Sequence, residues 1–80
     1  MDMRQLSYFV AVYEQGSISA AARHCAVAQP SVSSALQQLE SQLGCPLFLR
    51  LPKGVRATEE GERLYSQACQ ILSQLQAIKA

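Results

Sequence analysis

The stretch "AQPSVSSALQQLE", Ala28 to Glu40, carries no charged side chain before its final Glu. Its polar groups are amides and hydroxyls: Gln29, Ser31, Ser33, Ser34, Gln37 and Gln38, with Ser41 just beyond. An amide offers donor and acceptor side by side, and a hydroxyl offers both from one atom. Such groups suit a partner that is itself a hydrogen-bonding surface. Gln matches adenine in bidentate fashion, Ser serves several base edges, and Pro30 is placed to touch a thymine methyl. The cations lie elsewhere. Arg50, Lys53 and Arg56 fall within seven residues with no acid among them, and no Lys or Arg occurs between Arg23 and Arg50. Phosphate contacts position a protein on a duplex while base contacts specify the site, so the two sets would divide the labour of one interface. The competing reading is a solvated helix face, or one that meets another protein.

Other chemistry finds little support. His24 stands beside Cys25, with no second ligand pair at finger spacing, so no metal site is expected. Cys25, Cys45 and Cys69 are odd in number, widely spaced and without a CxxC pair. They read as small core residues in a reducing compartment, with a redox-sensing thiol as the alternative. No Gly-rich phosphate loop and no carboxylate pair on a defined cleft is present, so neither a catalytic residue nor a cofactor is expected. Seven basic and six acidic residues leave a net charge of +1, which by itself implies no nucleic-acid partner; only the placement of charge does.

The 80 residues allow one small domain, and 49% apolar content fits a globular one. No segment approaches the ~18 apolar residues of a membrane span. The opening "MDMRQLSYF" has no apolar run after its Arg and is not a signal peptide. A cytoplasmic protein with no membrane contact is expected.

Positioning falls to a mainly helical chain. Asp2 can cap a helix whose apolar stripe is Leu6, Phe9, Val10 and Tyr13, closed at Gly16. Ser17 can cap a short, alanine-rich second helix, "ISAAARHC", and "AVAQ" reads as the turn after it. The third helix buries Val32, Ala35, Leu36, Leu39 and Leu43. Pro30 is tolerated in its first turn, and Gly44 and Pro46 stop it. "LFLRLPKGVRA" alternates apolar and basic residues around Pro52, Lys53 and Gly54, which predicts a hairpin of Leu47 to Arg50 and Val55 to Ala57. Thr58 opens a last helix, with Glu59, Glu60 and Glu62 at its positive end. Leu64, Ala68, Ile71, Leu75 and Ile78 are spaced as a heptad seam for dimerisation, while Tyr65 and Leu72 form a second strip toward the helix's own domain. The competing reading is one wide core-facing stripe.

Helix, short helix, tight turn, third helix and hairpin is the layout of a winged helix-turn-helix: a three-helix core plus a two-stranded β wing, over residues 1–58, followed by a linker and dimerisation helix over 59–80. The third helix would lie in a major groove. Gln29, Pro30, Ser31, Ser33, Ser34 and Gln37 are the candidate base readers. Ser17 at a helix N-terminus and the wing residues Arg50, Lys53 and Arg56 are the candidate phosphate contacts.

"RQLSYFVAV", "GSISAAAR", "VAQPSVSSALQQLE", "LGCPLF" and "TEEG", in this order from Arg4 to Gly61, resemble the N-terminal domain of LysR-type transcriptional regulators. The resemblance implies a DNA-binding domain that dimerises through its last helix. It implies binding at an interrupted palindrome with a T-N11-A core, and tetramers in the full-length protein. It also implies a C-terminal domain, absent from this chain, that takes a small-molecule effector. Family DNA contacts fall on Gln29, Pro30, Ser31, Ser33, Arg50, Lys53 and Arg56. The chain departs from the family in several places: Ala28 replaces a capping Ser or Thr, Ser34 stands where Arg is frequent, Gln37 and Gln38 lie where basic residues are frequent, and Leu51 sits near the wing tip where polar residues are usual.

Overall fold

Every helix but one begins where the sequence supplies a side-chain acceptor for its free N–H groups. The computed structural model describes residues 1–79, so Ala80, the last residue of the expected 59–80 segment, lies outside the described residues. Helix α1 spans Met3–Gln15, capped by a reciprocal pair in which Asp2 accepts from the Gln5 amide and the Gln5 side chain accepts from that of Asp2. Helix α2, Ile18–Cys25, is capped by Ser17, whose Oγ accepts from the Ala20 N–H at 3.0 Å. Helix α3, Gln29–Leu43, is the exception: Ala28 gives its N-terminus no side-chain acceptor. The turn between α2 and α3 passes through Ala26 at φ +58°, a left-handed conformation that costs a residue with a Cβ about 1–2 kcal/mol.

Strands β1, Phe48–Leu51, and β2, Gly54–Ala57, form an antiparallel ribbon in which Phe48 faces Ala57, Leu49 faces Arg56 and Arg50 faces Val55. The expected first strand, Leu47 to Arg50, therefore starts and ends one residue later, because the Leu47 N–H goes to Glu40 and its carbonyl to Thr58 rather than to the ladder, and the second strand gains Gly54 at its start. Helix α4 spans Glu59–Lys79. The core gathers Leu6, Phe9 and Val12 of α1, Ile18, Ala21 and Ala22 of α2, Val32, Leu36 and Leu39 of α3, and Leu47, Phe48 and Ala68. The expected burial of Leu43 fails: it is 40% exposed, since the last turn of α3 runs past the core.

The heptad seam on α4 also requires correction. Ala68 is fully buried in the core of its own domain, and Leu64 packs against that core. Ala68 is not free to meet a partner helix, because the first half of α4 lies along α1; Leu64 keeps part of its surface open. Beyond Ala68 the seam turns to solvent: Ile71 is 43% exposed and Ile78 80%, with Leu75 between them half-buried. The second strip behaves as expected where Tyr65 stacks on Tyr13, ring centroids 3.7 Å apart and 7° from parallel.

Two hydrogen-bond sets fix the path from α3 to α4. The Glu40 carboxylate accepts from the backbone N–H of Leu47 at 2.7 Å and of Phe48 at 3.4 Å, clamping the approach to the ribbon. Thr58 donates its N–H to the Leu47 carbonyl and its hydroxyl to the Pro46 carbonyl, while its Oγ1 accepts from the Gly61 N–H and caps α4. Substituting Glu40→Ala removes charge-assisted bonds and leaves a partly buried N–H unpaired, so we expect a loss of about 2 kcal/mol in urea unfolding. A loss below a few tenths would contradict the clamp.

The Tyr13 hydroxyl donates to the Glu62 carboxylate at 2.9 Å and the Tyr65 hydroxyl to that of Glu14 at 2.6 Å, tying α1 to α4 twice. The hydrogen bond to Glu62 is the main cause that raises the Tyr13 pKa; for Tyr65 it is the hydrogen bond to Glu14, with the neighbouring Cys69 side chain raising it further. A raised phenol pKa means that the stabilisation is complete below the unfolded value of about 10 and is lost as pH climbs through the folded values. Thermal unfolding is expected to show a melting temperature that falls above that pH. The fall should diminish in the Tyr13→Phe, Tyr65→Phe double variant.

Candidate nucleic-acid interface

Polar residues of α3 distribute around the helix at about 100° per residue. Val32, Ala35, Leu36 and Leu39 define the buried side. Directly opposite stand Pro30, Ser34, Gln37 and Ser41, all exposed. Gln29 and Ser33 occupy one flank, and Ser31 and Gln38 the other; Ser33 is half-buried. The uncharged surface expected from sequence is thus present, but as a central row with two flanks that meet different neighbours.

The flank of Gln29 opens on a cleft of about 310 Å³ lined by Ser17, Ile18, Ser19, Gln29, Arg50, Leu51, Gly54 and Val55. Here the fold brings together residues from the α2 cap, the start of α3 and the ribbon. Gln29 Oε1 accepts from the Ser19 hydroxyl at 3.1 Å, which holds the side-chain amide at the start of α3 in place. The role of Ser19 is not legible in sequence, because the contact joins two helices across their turn. Ser17 Oγ already accepts the α2 capping bond, leaving its hydroxyl proton to donate.

The ribbon sits where it does because the Val55 N–H donates to the Gly16 carbonyl at 3.0 Å. Gly54 permits this approach: its φ is +95°, and a Cβ there would lie 2.3 Å from the Gly16 oxygen. Side chains alternate across a strand, and facing residues share a side. Arg50 therefore lies on the side of Val55, at the cleft, whereas Arg56 shares the opposite side with Leu49. The three basic residues do not form one patch: Arg50 faces α2 and α3, Arg56 faces away, and Lys53 occupies the tip. All three are exposed, and the one ion pair among the described residues is Arg63–Glu59, so the ribbon's cations are not neutralised from within the chain. The exposed Leu51 closes the ribbon's end opposite Gly54.

Among the described residues no group of three His, Cys, Asp or Glu side chains is placed to hold a metal, and no helix is long and apolar enough to cross a membrane. Cys25, Cys45 and Cys69 are free thiols, each half-buried.

This arrangement of helices and ribbon defines a winged helix-turn-helix, and comparison with known proteins agrees. The profile of the bacterial regulatory helix-turn-helix protein, lysR family, matches residues 3–62. The chain belongs to the LysR family. It is 47% identical over 73 residues to the transcriptional regulator BudR of Raoultella terrigena, covering 91% of this chain and 25% of that protein. It is 42% identical over 73 residues to the regulator BenM of Acinetobacter baylyi, covering 91% and 24%. Among solved structures it superposes on the CbnR DNA-binding domain in complex with DNA at a TM-score of 0.94 and 37% identity, covering 99% of this chain and 91% of that one. The BenM DNA-binding domain with benA site 1 DNA gives 0.93 and 40%, covering 98% and 91%. The chain thus spans about a quarter of the length of the BudR and BenM proteins named here.

Proposed function

We propose that this chain binds double-stranded DNA sequence-specifically as a homodimer and thereby regulates transcription in the bacterial cytoplasm. The observation that carries this reading is the cleft in which an uncharged, exposed helix face meets an unpaired cation: Gln29, held by Ser19, stands beside Arg50 and the α2 N-terminus. Pro30, Ser34 and Gln37 face base edges in the major groove, with Ser31 and Ser33 beside them. Ser17, Arg50, Lys53 and Arg56 grip the sugar–phosphate backbone. Residues 1–58 form the reading head. The distal part of α4 pairs two heads so that they enter grooves about 34 Å apart, at an interrupted palindrome of the T-N11-A type. Small-molecule control and tetramer formation belong to a further C-terminal domain of the full-length protein. The known DNA-bound relatives of closely similar fold support this assignment.

Binding measured by anisotropy on a duplex selected from a random pool, and on a random duplex, tests the division of labour. Arg50→Ala is expected to weaken both equally and to reduce the salt slope by about 0.9 for each phosphate released. Arg56→Ala, on the other side of the ribbon, should cost less. Gln29→Ala should lower discrimination between the two duplexes by about 1–3 kcal/mol. Equal loss on both would remove Gln29 from base reading, and a wild-type chain indifferent to sequence and salt would overturn the function itself.

A further inference from the structure

Gln5 is the one buried polar residue among the described residues, 4% exposed, and its amide has no freedom of orientation. The Asp2 N–H is a donor, so it fixes Oε1 of Gln5 toward itself at 3.1 Å. Nε2 of Gln5 must then point the other way, where it donates to Oε1 of Gln38 at 3.0 Å. Gln38 is turned in consequence. Its acceptor is taken up on the α1 side, and its NH2 group, without a partner among the described residues, is left on the exposed side. Two consecutive amide bonds, anchored at a backbone N–H, thus transmit a definite polarity from the start of α1 to the surface of α3.

Gln38 is not on the central row of the reading face. At about 100° per residue it lies about 180° around the helix from Gln29 and one turn beyond Ser34, on the flank that faces α1. The centre of a helix seated in a groove meets base edges, while its flanks meet the strands that border the groove. Exposed Arg4, the residue before Gln5, lies on the neighbouring helix. The acid nearby, Asp2, is engaged by the Gln5 N–H at 2.8 Å.

We propose that Gln38 is a neutral phosphate contact of this protein and that Gln5 is its positioning residue, holding the NH2 group outward as a donor to a phosphate oxygen. The assignment rests on the DNA-binding reading above. It explains how a reading helix without a cation can still grip a strand, and why a polar side chain is buried at the α1–α3 contact. A neutral donor adds affinity without displacing a counterion, so its signature differs from that of Arg50: affinity falls, yet the salt slope stays.

The test uses the chain with the two duplexes already described. Gln38→Ala is expected to lower affinity about tenfold on both, with an unchanged slope against salt. Gln5→Glu keeps an acceptor for Asp2 but cannot donate to Gln38, so the Gln38 amide turns over and presents its oxygen to the phosphate. It should lose at least as much affinity as Gln38→Ala, and its melting temperature is checked in parallel, because the carboxylate sits at a position 4% exposed beside that of Asp2. In the Gln38→Ala background the Gln5→Glu penalty should shrink to the general repulsion of the added carboxylate, since the rest of it acts through one bond. If Gln5→Glu melts early, Gln5→Met, which keeps the volume and lacks the donor, replaces it; it frees the amide to rotate and should lose only about threefold, again with no further loss in the Gln38→Ala background. A Gln38→Ala variant that binds like wild type, or loses affinity on the selected duplex alone, overturns the proposal. So does a Gln5→Glu penalty that persists at full size in the Gln38→Ala background. A wild-type chain that binds neither duplex sinks the DNA-binding reading and this assignment together.

Discussion

The Gly61→Ala variant is expected to be less stable than wild type by about 2 kcal/mol, although helix propensity alone favours Ala over Gly by about 1 kcal/mol. The sign is decided by contact. A Cβ at Gly61 would lie 2.2 Å from the Leu47 carbonyl oxygen and 3.2 Å from its carbon, both backbone atoms that no side-chain rotation can move. The first turn of α4 would have to lift away from the approach to β1. That movement would stretch the Thr58 N–H bond to Leu47 at 3.0 Å and the Thr58 hydroxyl bond to Pro46 at 2.8 Å. For a domain this small, whose total stability is about 4–12 kcal/mol, such a loss lowers the melting temperature by roughly 10 °C. Urea unfolding followed by circular dichroism measures it. A higher midpoint for the Ala variant would show that the close approach carries no weight.

The second large effect concerns the distal half of α4. Ile71→Asp with Leu75→Asp is expected to give a monomer in analytical ultracentrifugation and to weaken binding to a two-half-site duplex by about a hundredfold or more, because two linked heads bind through effective concentration. The fold should survive, since Ile71 is 43% exposed and the core lies on the other side of Ala68. Ala68→Asp serves as contrast: it places a charge at a fully buried position and should unfold the domain rather than merely separate two copies. A wild-type chain that is monomeric at tens of micromolar, or a double variant that still binds as wild type, would refute pairing through this segment.

Much of the fold was legible because its determinants are local. A cap involves residues within three or four positions of one another, so Asp2, Ser17 and Thr58 could be read as helix starts, and α2 falls on "ISAAARHC" as expected. The missing cap at Ala28 was legible through the family resemblance, which sets Ala against a usual Ser or Thr. A gap in that reading was Gly61. Glycine in the first turn of a helix sacrifices propensity and so signals a close approach, but the sequence does not name the carbonyl that approaches.

Where the expectations failed, the cause was a contact distant in sequence. Leu47 was assigned to a strand from its alternation; Glu40 and Thr58 take up its backbone N–H and carbonyl, and the first strand starts one residue later. Register then decided that Arg50 and Arg56 point to opposite sides, a consequence of the two-residue period of a strand. Ser19 on Gln29 and Gln5 on Gln38 join different helices and leave no periodic trace.

The sequence by itself determined the order and capping of the elements, the uncharged face of α3 and the basic ribbon, because these follow from neighbours along one helix turn or one hairpin. Only the tertiary structure decided which half of the α4 seam is left for a partner, which arginine joins the cleft and which way the Gln38 amide faces. Those outcomes depend on what packs against each element, and packing is set by groups up to 33 residues apart, as in the Gln5–Gln38 bond.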